Sequence, residues 1–206
     1  MSAGSLSSLR TTGPIKKYYE GFCILLNTGL RISEFVGLTI EDIDFDSGTI
    51  HVNKQLQRTS AGRYYIEKPK TENGERFVPM TKKVAECFRA IIDRRKTPEK
   101  EPIVDGVSGF IFLDKKEQPE VALHWENHFR WCLKKHNGIC KDELPKITPH
   151  ICRHTFCGKM ARQYLSPAKL KYVMGHSDID VTFNVYTHMK AEDVRDEVLK
   201  AIDDEA

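Results

Sequence analysis

Four segments of the 206-residue chain hold polar side chains where a helical core would want apolar ones. They are Thr28-Gly29-Leu30-Arg31-Ile32-Ser33-Glu34, Lys70-Thr71, His150-Ile151-Cys152-Arg153-His154, and Gly175-His176-Ser177 ahead of Tyr186. Each alone has an ordinary reading. A Gly-x-Arg run is usually a helix start with a solvated arginine, and His150-x-x-Arg153 puts two polar groups on one helical face. One tyrosine among seven reads as a half-buried packing residue. Together the segments supply two arginines, two histidines, a lysine and a tyrosine near the chain's end, the set that metal-free phosphoryl transfer needs. Two guanidiniums with fixed forked donors can hold the non-bridging oxygens of a pentacovalent phosphate and offset their charge. An imidazole can take a proton from an attacking hydroxyl, and a lysine can give one to a leaving oxygen.

The elements that must position these groups follow from periodicity. Apolar residues Ile15, Tyr18, Tyr19, Phe22, Cys23, Leu25 and Leu26 recur at helical spacing behind Pro14 and stop near Thr28-Gly29. A second helix is expected from Ser33 to about Thr39. Residues 49–53, 64–67 and 76–79 read as strands, the last two around an Asn73-Gly74 hairpin turn, so one small antiparallel sheet is expected near 49–79. Helical patterning resumes at Thr81 and runs into a charged surface loop at 94–101; residues 110–112 read as a short strand. Helices are expected at about 123–136, 149–163, 167–174 and 178–188, with a last amphipathic one from Ala191 to Ile202. The fold class is therefore mainly α with a small antiparallel β-sheet (α+β), in one domain.

Composition is that of an ordinary globular protein: 40% hydrophobic, 30% charged and a formal net charge of +3. That charge permits a nucleic-acid partner without demanding one. Its distribution says more. Basic residues crowd the middle, with Lys54, Arg58, Arg63, Lys68, Lys70, Arg76, Lys82, Lys83, Arg94, Arg95 and Lys96, whereas 192–205 is acidic, so one face for a polyanion and a separate tail are expected. Six cysteines without a C-x-x-C pair read as reduced thiols of a cytoplasmic protein. No apolar run approaches the roughly 20 residues of a membrane span, and no signal-peptide pattern opens the chain. His124, His128, Cys132 and His136 fall four apart along one helix, but such a stripe drifts around the helix and no second cluster completes a tetrahedral site, so no metal is expected there.

The four chemical segments, in this order, resemble the signature of the tyrosine recombinase family. The Thr28 to Glu34 run is similar to its first arginine box, and Gly175-His176-Ser177-Asp178-Ile179 through Asn184-Val185-Tyr186-Thr187-His188 is similar to its nucleophile segment. The wording is nearest to phage and conjugative-transposon integrases of Gram-positive bacteria. The resemblance implies the tyrosine recombinase catalytic-domain fold and the cleavage and rejoining of double-stranded DNA at attachment sites. It also implies roles: Tyr186 as nucleophile, Arg31 and Arg153 as the phosphate clamp, Lys70 as acid to the leaving 5′-oxygen, His150 as base, His176 as a phosphate hydrogen-bond partner, and Glu34 bracing the site. Neither cofactor nor metal is implied. The partners implied are a homo-oligomer on DNA, a tetramer in the synapse, and an accessory directionality factor; no membrane is involved. A type IB-like topoisomerase and a catalytically inactive DNA-binding module remain as alternatives.

Full-length family members carry a core-binding domain ahead of the catalytic segment, so the chain is expected to be a fragment of a longer protein. The expected organisation is a disordered leader or cloning remnant at 1–13, a catalytic domain at 14–190, and a helical tail at 191–206. In that tail Val194, Val198, Leu199 and Ile202 recur at helical spacing; the resemblance implies docking on a neighbouring protomer, and the alternative is that the tail folds back on its own domain.

Overall fold

The computed structural model describes residues 15–69, 74–140, 143–163 and 165–175. The first helix, α1 (Lys16–Thr28), is the centre of the molecule. Tyr19, Phe22, Cys23, Ile24, Leu25 and Leu26 are all buried. A helix apolar on nearly every side must be covered on nearly every side. Two later helices, α3 (Lys82–Arg94) and α5 (Pro149–Arg162), pack directly against it. Each fully buried Phe, Ile or Leu of α1 contributes about 1.5–3 kcal/mol of transfer free energy. The helix ends where Gly29 takes the left-handed conformation at φ 67°.

Helix α2 (Ile32–Val36) follows, then a 3-10 turn over Ile40–Asp42. The expected longer helix to Thr39 does not form. Asp42 accepts hydrogen bonds from the backbone N–H and hydroxyl of Thr39, which starts a new turn there instead. Five strands come next: β1 (Ile43–Asp44), β2 (Thr49–Val52), β3 (Gln55–Arg58), β4 (Tyr64–Glu67) and β5 (Arg76–Pro79). They make two antiparallel sheets, β1-β2-β5 and β3-β4, rather than one. Thus β4 and β5 do not pair across Asn73-Gly74. Instead β5 pairs with β2 (Ile50↔Val78, Val52↔Arg76), and the β3–β4 ribbon is inserted between them. Strands β1 and β3 escape periodicity because one is two residues long and the other, Gln-Leu-Gln-Arg, has a single apolar member.

Helices α4 (Ala122–Asn137), α5 and α6 (Pro167–Met174) lie close to their expected ranges. Thr148 and Ser166 accept hydrogen bonds from the N–H groups three residues on, and proline occupies the first turn of α5 and α6. The strand expected at 110–112 is not formed; Phe110 makes one isolated bridge to Thr39, and Phe110, Ile111 and Phe112 are core packing residues. The helices expected at 178–188 and 191–202 lie outside the described residues, as do the expected leader and tail. Among the described residues no helix is long and apolar enough to cross a membrane.

Aromatic packing seats α4 against α1 and α2. The Trp125 ring meets Phe35 of α2 edge-on at 4.9 Å, and the centroids of Phe22 of α1 and Phe129 lie 4.1 Å apart. Trp125 fits only because Gly21 has no side chain; a Cβ there lies 2.1 Å from the indole. Gly21→Ala therefore sets a helix-propensity gain of about 1 kcal/mol against overpacking of about 1–3 kcal/mol. The buried ring cannot yield cheaply, so the melting temperature falls by several degrees in thermal unfolding. A rise would show that Trp125 moves aside.

Candidate functional site

The site is assembled where the ends of α1 and α6 meet α2, α5 and β5. Arg31 is the N-cap residue of α2, with extended backbone at φ −68°, ψ 147°. Its backbone N–H donates to Glu34 Oε2 at 2.8 Å, and its Nη1 donates to Glu34 Oε1 at 2.9 Å. Glu34, one turn into α2, is 2% exposed. Arg153 projects from the middle of α5 and is also buried; its Nη1 donates to the Gly29 carbonyl and its Nη2 to the Met174 carbonyl, both at 2.6 Å.

A third guanidinium completes the cluster. Arg76, at the start of β5, is 1% exposed. Its Nη1 and Nη2 donate to Glu34 Oε1 at 3.1 Å and Oε2 at 2.9 Å, a bidentate pair. Its Nε donates to the Val173 carbonyl at 2.8 Å. Arg31 Nη2 reaches the Gly175 carbonyl at 2.9 Å and its Nη1 the Met174 carbonyl at 3.5 Å, so three consecutive carbonyls at the C-terminal end of α6 accept from arginines: Val173 from Arg76, Met174 from Arg153 and Arg31, and Gly175 from Arg31. Free carbonyls and the negative end of the helix dipole favour cations at such a terminus. Gly175 closes α6 in the left-handed conformation at φ 62°, and a Cβ there lies 2.7 Å from Arg76 Nη1. Both the conformation and the close approach require glycine.

The electrostatics follow from this packing. Burial pushes the Glu34 carboxyl upward, but hydrogen bonds and charge from Arg76, then charge and the backbone N–H of Arg31, outweigh it and hold Glu34 below the ordinary carboxylate range. Arg153 is pushed down to about 10, by burial first and then by the charge of Arg31, and stays cationic at neutral pH. Three guanidiniums against one carboxylate leave a surplus of two positive charges. Exposure is graded: the Arg31 side chain is 37% exposed, whereas Arg153 and Arg76 lie behind it. Of the three, Arg31 is the most accessible to an anion.

His150 is exposed on α5, one turn before Arg153. Its Nε2 lies 2.7 Å from the Nε2 of His154, so one ring donates and the other accepts. Burial, then the charges of His150 and Arg153, hold His154 below the ordinary histidine range. Of the residues singled out from sequence, Arg31, Glu34, Arg153 and His150 are thus described, and the first three are brought into one hydrogen-bonded cluster. Lys70, His176 and Tyr186 lie outside the described residues.

Arg76 is the residue that sequence reasoning misplaced, as one of a basic crowd on a polyanion-binding face. Alternation held the signal: on β5 the buried positions are Arg76 and Val78, so inward-facing Val78 carries Arg76 inward with it. Two more of that crowd are internal ties. Lys54 Nζ sits on both carboxylate oxygens of buried Asp42, and Arg95 donates to the Phe110 carbonyl and to Glu101. The four-residue stripe on α4 disperses. His124 faces its own helix N-terminus, His128 pairs with Glu120 and stacks on Tyr18, Cys132 is buried, and His136 contacts Cys140 Sγ. Among the described residues no group of three or more His, Cys, Asp or Glu is placed to hold a metal ion. All six cysteines are free thiols.

Residues 8–193 match the profile of the Phage integrase family. Over 172 residues the chain is 44% identical to the transposase from transposon Tn916 of Enterococcus faecalis, covering 84% of this chain and 42% of that protein. Over 166 residues it is 29% identical to the integrase of Staphylococcus phage L54a, covering 79% and 45%. Its structure superposes on that of the Tn1549 transposon integrase in complex with circular intermediate DNA with a TM-score of 0.88 and 39% identity, covering 98% of this chain and 66% of that one. XerA recombinase shares the fold, at a TM-score of 0.67 and 21% identity. The chain spans less than half the length of the curated relatives it matches.

Because the folded-state Glu34 carboxyl is depressed, its contribution to stability is complete above the unfolded value of about 4.3 and is lost as pH falls through the folded value. Glu34→Gln removes this contribution. Its melting temperature lies below that of the unaltered protein at pH 7, and the gap narrows as pH falls from about 5 to 3. A gap constant from pH 7 to 3 would show that the carboxylate charge adds nothing.

Proposed function

This chain belongs to the phage integrase family, and from that premise we propose that it is the catalytic domain of a site-specific DNA recombinase. Its reaction cleaves and rejoins DNA through a 3′-phosphotyrosine intermediate and serves integration and excision of a mobile element. The observation that carries the proposal is the surplus of positive charge built from Arg31, Arg153 and Arg76 around one carboxylate at the end of α6. Such a cluster suits a transferring phosphoryl group, whose non-bridging oxygens gain charge in the transition state.

In this reaction the Tyr186 hydroxyl oxygen attacks the scissile phosphorus while the bond from phosphorus to the 5′-oxygen breaks. His150 takes the tyrosine proton, with His154 hydrogen-bonded behind it. Lys70, on the connection between β4 and β5, gives a proton to the departing 5′-oxygen. Arg31 and Arg153 hold the non-bridging oxygens, and His176, directly after Gly175, adds a hydrogen bond to one of them. The phosphodiester bond energy is conserved in the protein–DNA linkage, so the reverse attack by a 5′-hydroxyl reseals a strand without nucleotide hydrolysis or a metal.

Residues 14–190 are proposed as the catalytic domain, and 191–206 as a tail that docks on a neighbouring protomer within a DNA-bound oligomer, a tetramer at synapsis. A directionality factor is a further partner. The setting is the cytoplasm, where six unpaired cysteines remain reduced. The Tn1549 relative is bound to circular intermediate DNA, which supports double-stranded DNA as the partner here.

The test is incubation with nicked suicide duplexes carrying the element's ends, in EDTA. A denaturation-resistant protein–DNA adduct forms with the unaltered protein and is abolished in Tyr186→Phe. No adduct from the unaltered protein would leave only a DNA-binding role, and an adduct that needs a divalent ion would overturn the mechanism. Removal of residues after Ala191 lowers recombination while leaving adduct formation within about tenfold; unchanged recombination would refute the docking role.

A further inference from the structure

We propose that Arg76 is a positioning residue for phosphoryl transfer: by neutralising Glu34 it lets Arg31 meet the phosphate as an uncompensated cation. The inference rests on the phosphoryl-transfer reading above.

The Glu34 carboxylate accepts four hydrogen bonds. Oε1 accepts from Arg31 Nη1 and Arg76 Nη1, and Oε2 accepts from the Arg31 backbone N–H and Arg76 Nη2. Without Arg76 the charge of Arg31 is matched by the carboxylate 2.9 Å away, and a phosphate beyond it meets a nearly neutral pair. With Arg76 bidentate on the same carboxylate, that neutralisation is supplied from inside the protein. Arg31 then presents its charge outward.

Stability is a poor explanation for this arrangement. A buried ion pair gains little over apolar residues of the same shape, because both charges must be desolvated. Nor does Arg76 act as a lone partner. Its Nη1 also donates to the Gly74 carbonyl at 3.2 Å, its Nε holds Val173, and its guanidinium lies against bare Gly175. One side chain thereby joins the strand after the β4–β5 connection, the acid of α2 and the peptide preceding His176. A lysine cannot do this, since its three donors sit on one nitrogen, whereas Arg76 spreads four hydrogen bonds to Glu34, Gly74 and Val173 over three nitrogens.

The test measures adduct formation on two suicide duplexes, one with the natural scissile phosphodiester and one with a methylphosphonate, which lacks one charged oxygen. Arg76→Met cleaves the phosphodiester at least about tenfold more slowly than the unaltered protein, and its fold-loss is several times smaller on the methylphosphonate. The double variant Glu34→Gln/Arg76→Met has no stranded carboxylate and the same charge surplus as the unaltered protein. It cleaves the phosphodiester faster than Arg76→Met, without full recovery because the hydrogen bond to Val173 stays lost, and shows the unaltered protein's preference between the two substrates. Equal fold-losses on both substrates, or a double variant as impaired on the phosphodiester as Arg76→Met, would overturn the proposal. Should Arg76→Met fail to fold, the double variant's substrate preference decides alone: a preference shifted toward the methylphosphonate overturns it. No cleavage by the unaltered protein would overturn the phosphoryl-transfer reading itself, and this inference with it.

Discussion

A carboxylate buried among guanidiniums is tolerable only when every lone pair is engaged, and Glu34 meets that condition with four donors from Arg31 and Arg76. Most of what surrounds it follows. Helix α1 must stop at Gly29 so that Arg31 can begin α2 with its N–H turned to the acid. Strand β5 must keep its register with β2, because a slip of one residue turns Arg76 to solvent. Helix α6 must end at Gly175, since any other residue brings a Cβ into the Arg76 guanidinium. A polar constraint thus fixes the geometry of elements whose stability comes from elsewhere, chiefly the burial of α1.

Sequence and structure agree best where one signal dominates. α1 announces itself through apolar spacing, and α5 and α6 through proline in the first turn and capping side chains, and their ranges follow. Disagreement falls where two forces compete. Asn73-Gly74 is a good local hairpin signal, yet β5 pairs with β2, because the pairing of Ile50 and Val52 with Val78 and Arg76 closes the core face. Phe110-Ile111-Phe112 has strand composition, but it packs in the core and meets only the single bridge from Thr39. Long-range pairing overrode the local signal in the first case, and core packing without a ladder did so in the second.

The candidate site residues stood out for a different reason. Arg31, Glu34, His150 and Arg153 sit in segments whose polarity has no use in a core, so their oddity is visible in one dimension. Arg76 has no such oddity: it begins a short strand beside other basic residues, and only its place in the alternation with Val78 marks it as internal. Charge counting treated it as surface. A residue that acts by neutralising another cannot be recognised until its partner, 42 positions away, is known.

The sequence separations within the cluster carry a consequence for folding. Arg153 reaches Gly29 across 124 positions and Arg31 reaches Gly175 across 144. Contacts closing loops of that length are entropically late, whereas α1 can collapse against α3 from nearby. Part of the core, α1 on α3, can therefore form before the charge cluster, which needs the chain as far as Gly175. The positive surplus is thus a property of the assembled tertiary structure and belongs to no single segment of it.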